Sequence, residues 1–256
     1  MSAEVLLPLA FFCIALVYSS VGFAGGSSYL ALLALPFFGL LPEVIRPVGL
    51  FCNLIVSGGA AVIYLRRLQL PFREWWTYVL PGIPMAFVGG WWKLSDEVFF
   101  ILLAGTLMVA SVALWFQPST AFATEEVKPA GQGRAMKITV GASVGLLSGL
   151  VGIGGGIFLS PLMYFFRWSE PRRISAVASL YILFNSAGGL LGQFSRGLPQ
   201  FEWSFVWPLL VAVLAGGQIG ARLGSTRLSA HLIRRVTAAV ILAAALLVLK
   251  DHWPWR

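Results

Sequence analysis

The stretch "VGFAGGSSYL", Val21 to Leu30, interrupts an apolar run that extends from Val5 to Leu41. Glycine pairs and serines break helices and add little to a core, so a break in the middle of such a run needs a reason. A second stretch, "VGIGGGIFLS", Val151 to Ser160, repeats the pattern 130 residues further on. What these two breaks do decides the fold.

The surrounding composition sets the medium. Of 256 residues, 58% are hydrophobic and 11% charged, and the mean hydropathy is +0.84. Soluble domains carry roughly 25% charged residues. A chain this poor in charge cannot cover a water-facing surface, so the sequence predicts an all-α polytopic membrane protein. The net charge is +8, but the basic residues sit in short clusters between apolar runs. They read as topology signals and headgroup contacts, with no basic domain for nucleic acid. Cys13 and Cys52 lie alone in apolar runs and read as small buried hydrophobes, with no metal cluster or cofactor motif. The first segment lacks a basic n-region and a clear small-residue cleavage pattern, so it reads as part of the mature protein.

Segments are expected near 5–41, 44–65, 75–92 and 98–116, then, after a polar stretch at 117–137, near 138–166, 174–194, 203–221 and 232–249. Residues 1–116 and 138–256 share one plan. At an offset of 129, Ser57 lies over Ser186 and Gly59 over Gly188; at 128, Glu74-Trp75 lies over Glu202-Trp203; at 127, Gly89-Gly90 lies over Gly216-Gly217. Ordered matches at slowly drifting offsets predict a duplicated unit, with 117–137 as its flexible linker.

The basic residues then test topology. If all eight segments cross once, each face receives nine Lys and Arg, which contradicts the usual cytoplasmic excess. If each glycine-broken segment is a hairpin returning to the face it entered, one face collects thirteen and the other keeps five: Arg46, Lys93, Arg196, Lys250 and Arg256. Each half is then a re-entrant helical hairpin plus three transmembrane helices. Three is odd, so the halves form an inverted-topology repeat. Both termini are expected on the non-cytoplasmic side and the linker in the cytoplasm.

Irregular backbone at membrane depth is tolerated only inside protein or beside a watery cavity. The residues after each break start new half-helices, whose first N–H groups are unpaired and carry the positive end of the dipole. Gly25, Gly26, Ser27 and Ser28, with Gly154, Gly155, Gly156 and Ile157, are therefore expected to bind an anion near the midplane without a full positive charge in the site. Asn53, Ser57, Asn185 and Ser186 on neighbouring segments are the expected polar lining, although interhelical hydrogen bonding explains such residues equally. The glycines also have structural readings, as close-packing contacts or hinges.

The duplicated plan, the "GFAGGSS" and "GLVGIGGGIFLSPLM" breaks and the "EPRRISAVASL…NSAGG" segment resemble the TauE/SafE sulfite exporter family over about Val17 to Leu249. The resemblance implies a permease of the bacterial inner membrane for sulfite, sulfoacetate or related organosulfur anions, most readily in export. Uptake of a related anion and a passive channel are the alternatives. No Walker-type GxxxxGK[ST] occurs, and Glu43, Glu74, Asp96, Glu97, Glu170 and Glu202 all lie at segment ends, so neither ATP drive nor a carboxylate relay is expected. An anion leaving an inside-negative cell gains about 2.3 kcal/mol per charge per 100 mV. An intramembrane hydrolase using Ser27 or Ser28 lacks a nearby base, since His231 and His252 lie at a loop edge and in the tail; no enzyme activity is expected.

Overall fold

The computed structural model describes residues 3–20, 22–68, 70–115, 133–197, 202–223 and 230–251. Among them the chain is helical, with ten α-helices: α1 (Ala3–Ser20), α2 (Gly26–Leu33), α3 (Pro42–Leu68), α4 (Phe72–Trp91), α5 (Asp96–Trp115), α6 (Arg134–Val151), α7 (Gly156–Phe165), α8 (Pro171–Phe194), α9 (Trp203–Leu223) and α10 (Ala230–Asp251). Five of these, α3, α5, α6, α8 and α9, contain stretches long and apolar enough to cross a bilayer. The protein is a multi-pass membrane protein. The order of helices, one of 18 residues, one of 8 to 10, then three of 20 or more, occurs twice.

Most of the expected linker, residues 117–132, lies outside the described residues. Its end does not: α6 begins at Arg134, so Arg134 and Lys137 occupy the first turn of a helix. The breaks also sit a few residues earlier than the glycine runs suggest. Non-helical backbone covers Gly22 to Gly25 and Gly152 to Gly155, and the short helices start on Gly26 and Gly156. Gly25 (φ 91°) and Gly155 (φ 80°) occupy the N-cap positions in the left-handed region, where a side chain is disfavoured. Three residues in four at the second break, Gly152, Gly154 and Gly155, are left-handed.

Other glycines let helix backbones touch. Gly141, Gly145 and Gly149 of α6 lie against Tyr78, Gly82 and Ala86 of α4, and a Cβ at any of the three would fall within 2.1–2.5 Å of a backbone carbonyl oxygen. Gly216 and Gly220 of α9 meet Phe12 and Leu16 of α1 in the same way, and Gly188 and Gly192 of α8 meet Ile83 and Phe87 of α4. Small residues four apart permit this contact, which is how helices associate where lipid offers no hydrophobic drive.

The same pairs give helix directions. Residue numbers rise together along α4 and α6, along α4 and α8, and along α1 and α9, so these pairs run parallel. Between α3 and α8 they run opposed, Leu50 against Gly189 and Leu183 against Gly58. Phe51 of α3 meets Trp203 at the start of α9, with ring centroids 6.5 Å apart, and Gly59 meets Gln218 further along, so α3 follows α9. Thus α1, α3 and α9 point one way and α4, α6 and α8 the other.

Arg46, counted in the sequence as one of the five basic residues of one face, lies in the second turn of α3 and is 7% exposed. Its Nη2 donates to Gly89 O and Gly149 O, each at 3.0 Å. These carbonyls belong to the last turns of α4 and α6, where helix acceptors lack intrahelical donors and the dipole is negative. A buried guanidinium, with five N–H donors, satisfies both ends at once.

Candidate functional site

The site grows from α3 and α8, the long opposed helices through the middle of the protein. Asn53 stands 11 positions after the start of α3, and Ile182 stands 11 after the start of α8. At 1.5 Å per residue each is about 16 Å into its helix, close to half the roughly 30 Å hydrocarbon thickness. Both short helices begin at this level. A Cβ on Gly26 would lie 2.3 Å from Asn53 Nδ2; one on Gly156 would lie 2.4 Å from Ile182 Cδ1. Only a glycine lets α2 and α7 start so close to a neighbouring helix.

The two breaks also touch each other. Asn53 Nδ2 donates to Ile153 O at 2.8 Å, and the same carbonyl oxygen would be 2.4 Å from a Cβ on Gly26. Asn53, on the first-half helix, therefore ties the second break to the start of α2. Gly154 completes the junction, its Cβ position 2.7 Å from Asn53 Nδ2 and 3.2 Å from Ser186 Oγ.

Between the breaks lies a cavity of about 10 Å³, reached by Gly26 and Ser27 on one side, Gly156 and Ile157 on the other, and Asn53 and Tyr18 between. The N–H groups of Ser28 and Tyr29 return to Gly25 O, and those of Phe158 and Leu159 to Gly155 O. This leaves Gly26, Ser27, Gly156 and Ile157 as the helix-start donors without an intrahelical acceptor. Asn53 Oδ1, Ser27 Oγ and Ser186 Oγ are buried and find no hydrogen-bond partner in the protein. A buried polar atom left unpaired costs about 1–3 kcal/mol. Three of them lie around this one junction.

Not every expected residue joins the cavity. Ser28 Oγ is bonded to Tyr18 Oη at 2.7 Å, and Ser57 Oγ donates back to Asn53 O within α3. Asn185 turns toward α4, its amide against Gly82. Gly155 packs between α6 and α8, against Ser148 and Tyr181. Conversely, Tyr18, Phe23, Ile153 and Ile182 line the cavity without having been expected there. The offset of 129 that pairs Ser57 with Ser186 also pairs Asn53 with Ile182, so the sequence did contain a signal for the central position and for its asymmetry. Arg46 lies one helical segment away: a Cβ on Gly152 would be 3.1 Å from Arg46 Cα and O. The guanidinium itself is directed at the helix ends and does not line the cavity.

Comparison with known proteins agrees with this architecture. The family profile described as sulfite exporter TauE/SafE matches residues 7–248. A probable membrane transporter protein, y4hK, of Sinorhizobium fredii is 34% identical, over 95% of this chain and 97% of its own length. A probable membrane transporter protein of Xylella fastidiosa is 26% identical over 93% of both chains. MamO of Paramagnetospirillum magneticum, also a probable membrane transporter protein, is 28% identical over 83% of this chain, which spans only 39% of that longer relative. No solved structure matches. With nearly the whole chain matched to one family profile, this protein belongs to the sulfite exporter TauE/SafE family of membrane transporters.

Proposed function

We propose that the protein is a permease for a small sulfur-containing oxyanion, sulfite or an organosulfonate, exporting it across the bacterial inner membrane. One observation carries the reading. Two short helices start at one mid-depth junction, and Gly26, Ser27, Gly156 and Ile157, whose N–H groups lack an intrahelical acceptor, line one cavity. Helix N-termini favour negative charge, and backbone N–H groups at a glycine admit an oxyanion closely. Asn53, Ser27 and Ser186 add neutral polar atoms, which bind an oxyanion without the cost of burying a second ion.

The helix directions support the inverted repeat. Because α1 and α3 point the same way, the chain returns through α2 to the face from which α1 set out; α6, α7 and α8 do the same from the other face. Each broken segment then makes no net crossing. The entering arm is not a half-helix, however: 18 residues extend about 27 Å, while α2 and α7 return only 12–15 Å.

The cavity favours alternating access over an open channel. About 10 Å³ is the space of one water-sized probe, too little for sulfite, so substrate entry requires α2 or α7 to move from the Asn53 junction. A hydrolase reading has less support, since a serine nucleophile needs a nearby base and, among the described residues, those lining the cavity with Ser27 include no histidine, lysine or carboxylate. The decisive experiment is efflux of radiolabelled sulfite from proteoliposomes under an inside-negative potential. Potential-sensitive flux, lost on Gly26→Ala, is the expected result; potential-insensitive leakage that survives the substitution would refute the proposal.

A further inference from the structure

Where α4, α6 and α8 begin and α7 ends, a vestibule of about 620 Å³ opens between the four helices. Its charged lining is Arg73, Glu74, Arg134, Lys137, Glu170 and Arg173. Arg173 and Glu74 are spent on each other in an ion pair. Arg134 and Lys137 have no carboxylate partner among the described residues and rest instead on aromatic rings. The Arg134 guanidinium carbon is 4.3 Å from the Trp76 ring centroid, and Lys137 Nζ is 5.8 Å from the Tyr78 ring and 5.7 Å from that of Trp168. A ring face holds a cation in place while leaving its N–H donors available to an anion.

The opposite end is built differently. At the offsets that align the two halves, Leu7 stands for Lys137, Val206 for Tyr78 and Val44 for Arg173. Leu7 and Val206 are buried apolar core residues. A structural anchor role for two basic residues does not require a hollow between four helices or an aromatic seat for each charge. The vestibule also lies directly over the second hairpin. Met163, near the end of α7, and Val177, in the second turn of α8, line it, and α7 runs from there to Gly156 at the midplane cavity.

We propose that the vestibule is an anion-collecting subsite. Arg134 and Lys137, posed on Trp76, Tyr78 and Trp168, bind a small sulfur oxyanion or sulfonate from the water on that face, before it travels beside α7 to the breaks. The proposal deepens, and rests on, the transport reading above. Anionic lipid headgroups offer similar oxygens, but the enclosure between four helices favours a soluble anion. Such a subsite raises the local substrate concentration, so its loss weakens KM and leaves the later steps intact.

The test uses the full chain, with sulfite as the probe. Sulfite binding is measured in neutral phosphatidylcholine nanodiscs and efflux in proteoliposomes, for wild type, Arg134→Gln/Lys137→Gln, the conservative Arg134→Lys/Lys137→Arg, and Lys93→Gln on the other face. The double glutamine variant is expected to raise KM about tenfold with kcat little changed. The conservative pair is expected to restore KM, and Lys93→Gln to leave it alone. An unchanged KM in the double variant, an equal shift in Lys93→Gln, or loss of sulfite binding on adding phosphatidylglycerol each overturns the proposal. Should the double variant misfold, the wild-type KM still decides, because it must rise with ionic strength. Wild type that binds sulfite through Arg134 and Lys137 without moving it refutes the transport reading and keeps the subsite. Flux with an unaltered KM in the double variant does the reverse.

Discussion

Asn53 Nδ2 donates to Ile153 O across 2.8 Å, and that bond joins a helix of the first half to the glycine break of the second. The other amide atom, Oδ1, is buried without a partner. The side chain thus fixes the junction through one atom, and on the proposed reading the other is available to the anion. Asn53→Leu is expected to lose both functions. It orphans the Ile153 carbonyl at about 1–3 kcal/mol and replaces the polar lining with a hydrocarbon. Sulfite efflux should fall at least about tenfold, the factor equivalent to one lost 1.4 kcal/mol interaction. Flux at the wild-type rate from a variant with normal thermal stability would remove Asn53 from the site.

Gly26 is tested by a single methyl group. An added Cβ would meet Asn53 Nδ2 at 2.3 Å and Ile153 O at 2.4 Å. The second is backbone, so α2 must shift as a body. Gly26→Ala is expected to cost about 1–3 kcal/mol as an overpacked site. Gly105→Ala in α5 is the matching control, because nothing lies within 4 Å of its Cβ position; it should be neutral or stabilising by up to about 1 kcal/mol. Thermal unfolding in one detergent compares the two, and equal midpoints would contradict the packing described.

How much of this was legible beforehand follows from what each signal measures. Apolar runs and paired glycine breaks carried the helix plan, because helix length and bilayer thickness are matched one segment at a time. Gly25, Gly26, Ser27, Gly156 and Ile157 could be placed at the starts of the short helices for the same reason: a helix start depends on local backbone. The hydroxyls of Ser28 and Ser57 have partners nearby, Tyr18 Oη and the Asn53 carbonyl, and composition does not show which donor is already used. Arg46 could be read from the sequence only as one of five basic residues on one face. Its acceptors, Gly89 O and Gly149 O, lie 43 and 103 residues away in sequence and meet it only after three helices have packed.

Arg46 also carries a prediction. Its guanidinium serves carbonyls at the ends of two helices, and a hydrogen bond to a charged group contributes roughly 1.5–3 kcal/mol. Arg46→Met removes both donors and is expected to lower the unfolding midpoint more than Gly26→Ala does. Arg46→Lys should recover part of the loss, since one ammonium cannot match the guanidinium fork at two separate helix ends. A methionine variant as stable as wild type would show that water satisfies those carbonyls instead.

Helix directions make the last prediction, which concerns sidedness. Arg196 Nη1 donates to Trp91 O at 3.0 Å, so the ends of α4 and α8 lie on one face, and Lys93 stands two residues after Trp91. Arg134, at the start of α6, belongs with the start of the parallel α4 on the other face, as does Arg66 near the end of α3. Single cysteines at 93, 196, 66 and 134, in a background of Cys13→Ala and Cys52→Ala, can be labelled with a membrane-impermeant maleimide. In right-side-out vesicles positions 93 and 196 should react, and in inverted vesicles 66 and 134, because the re-entrant reading of the sequence assigns thirteen of eighteen basic residues to the latter face and basic segments stay cytoplasmic. The pairing is the stronger half of the prediction. If all four labels exchange sides together, the helix packing stands and the charge argument is wrong. If 93 and 196 separate, the parallel course of α4 and α8 is wrong, and with it the return of each broken segment to the face where it began.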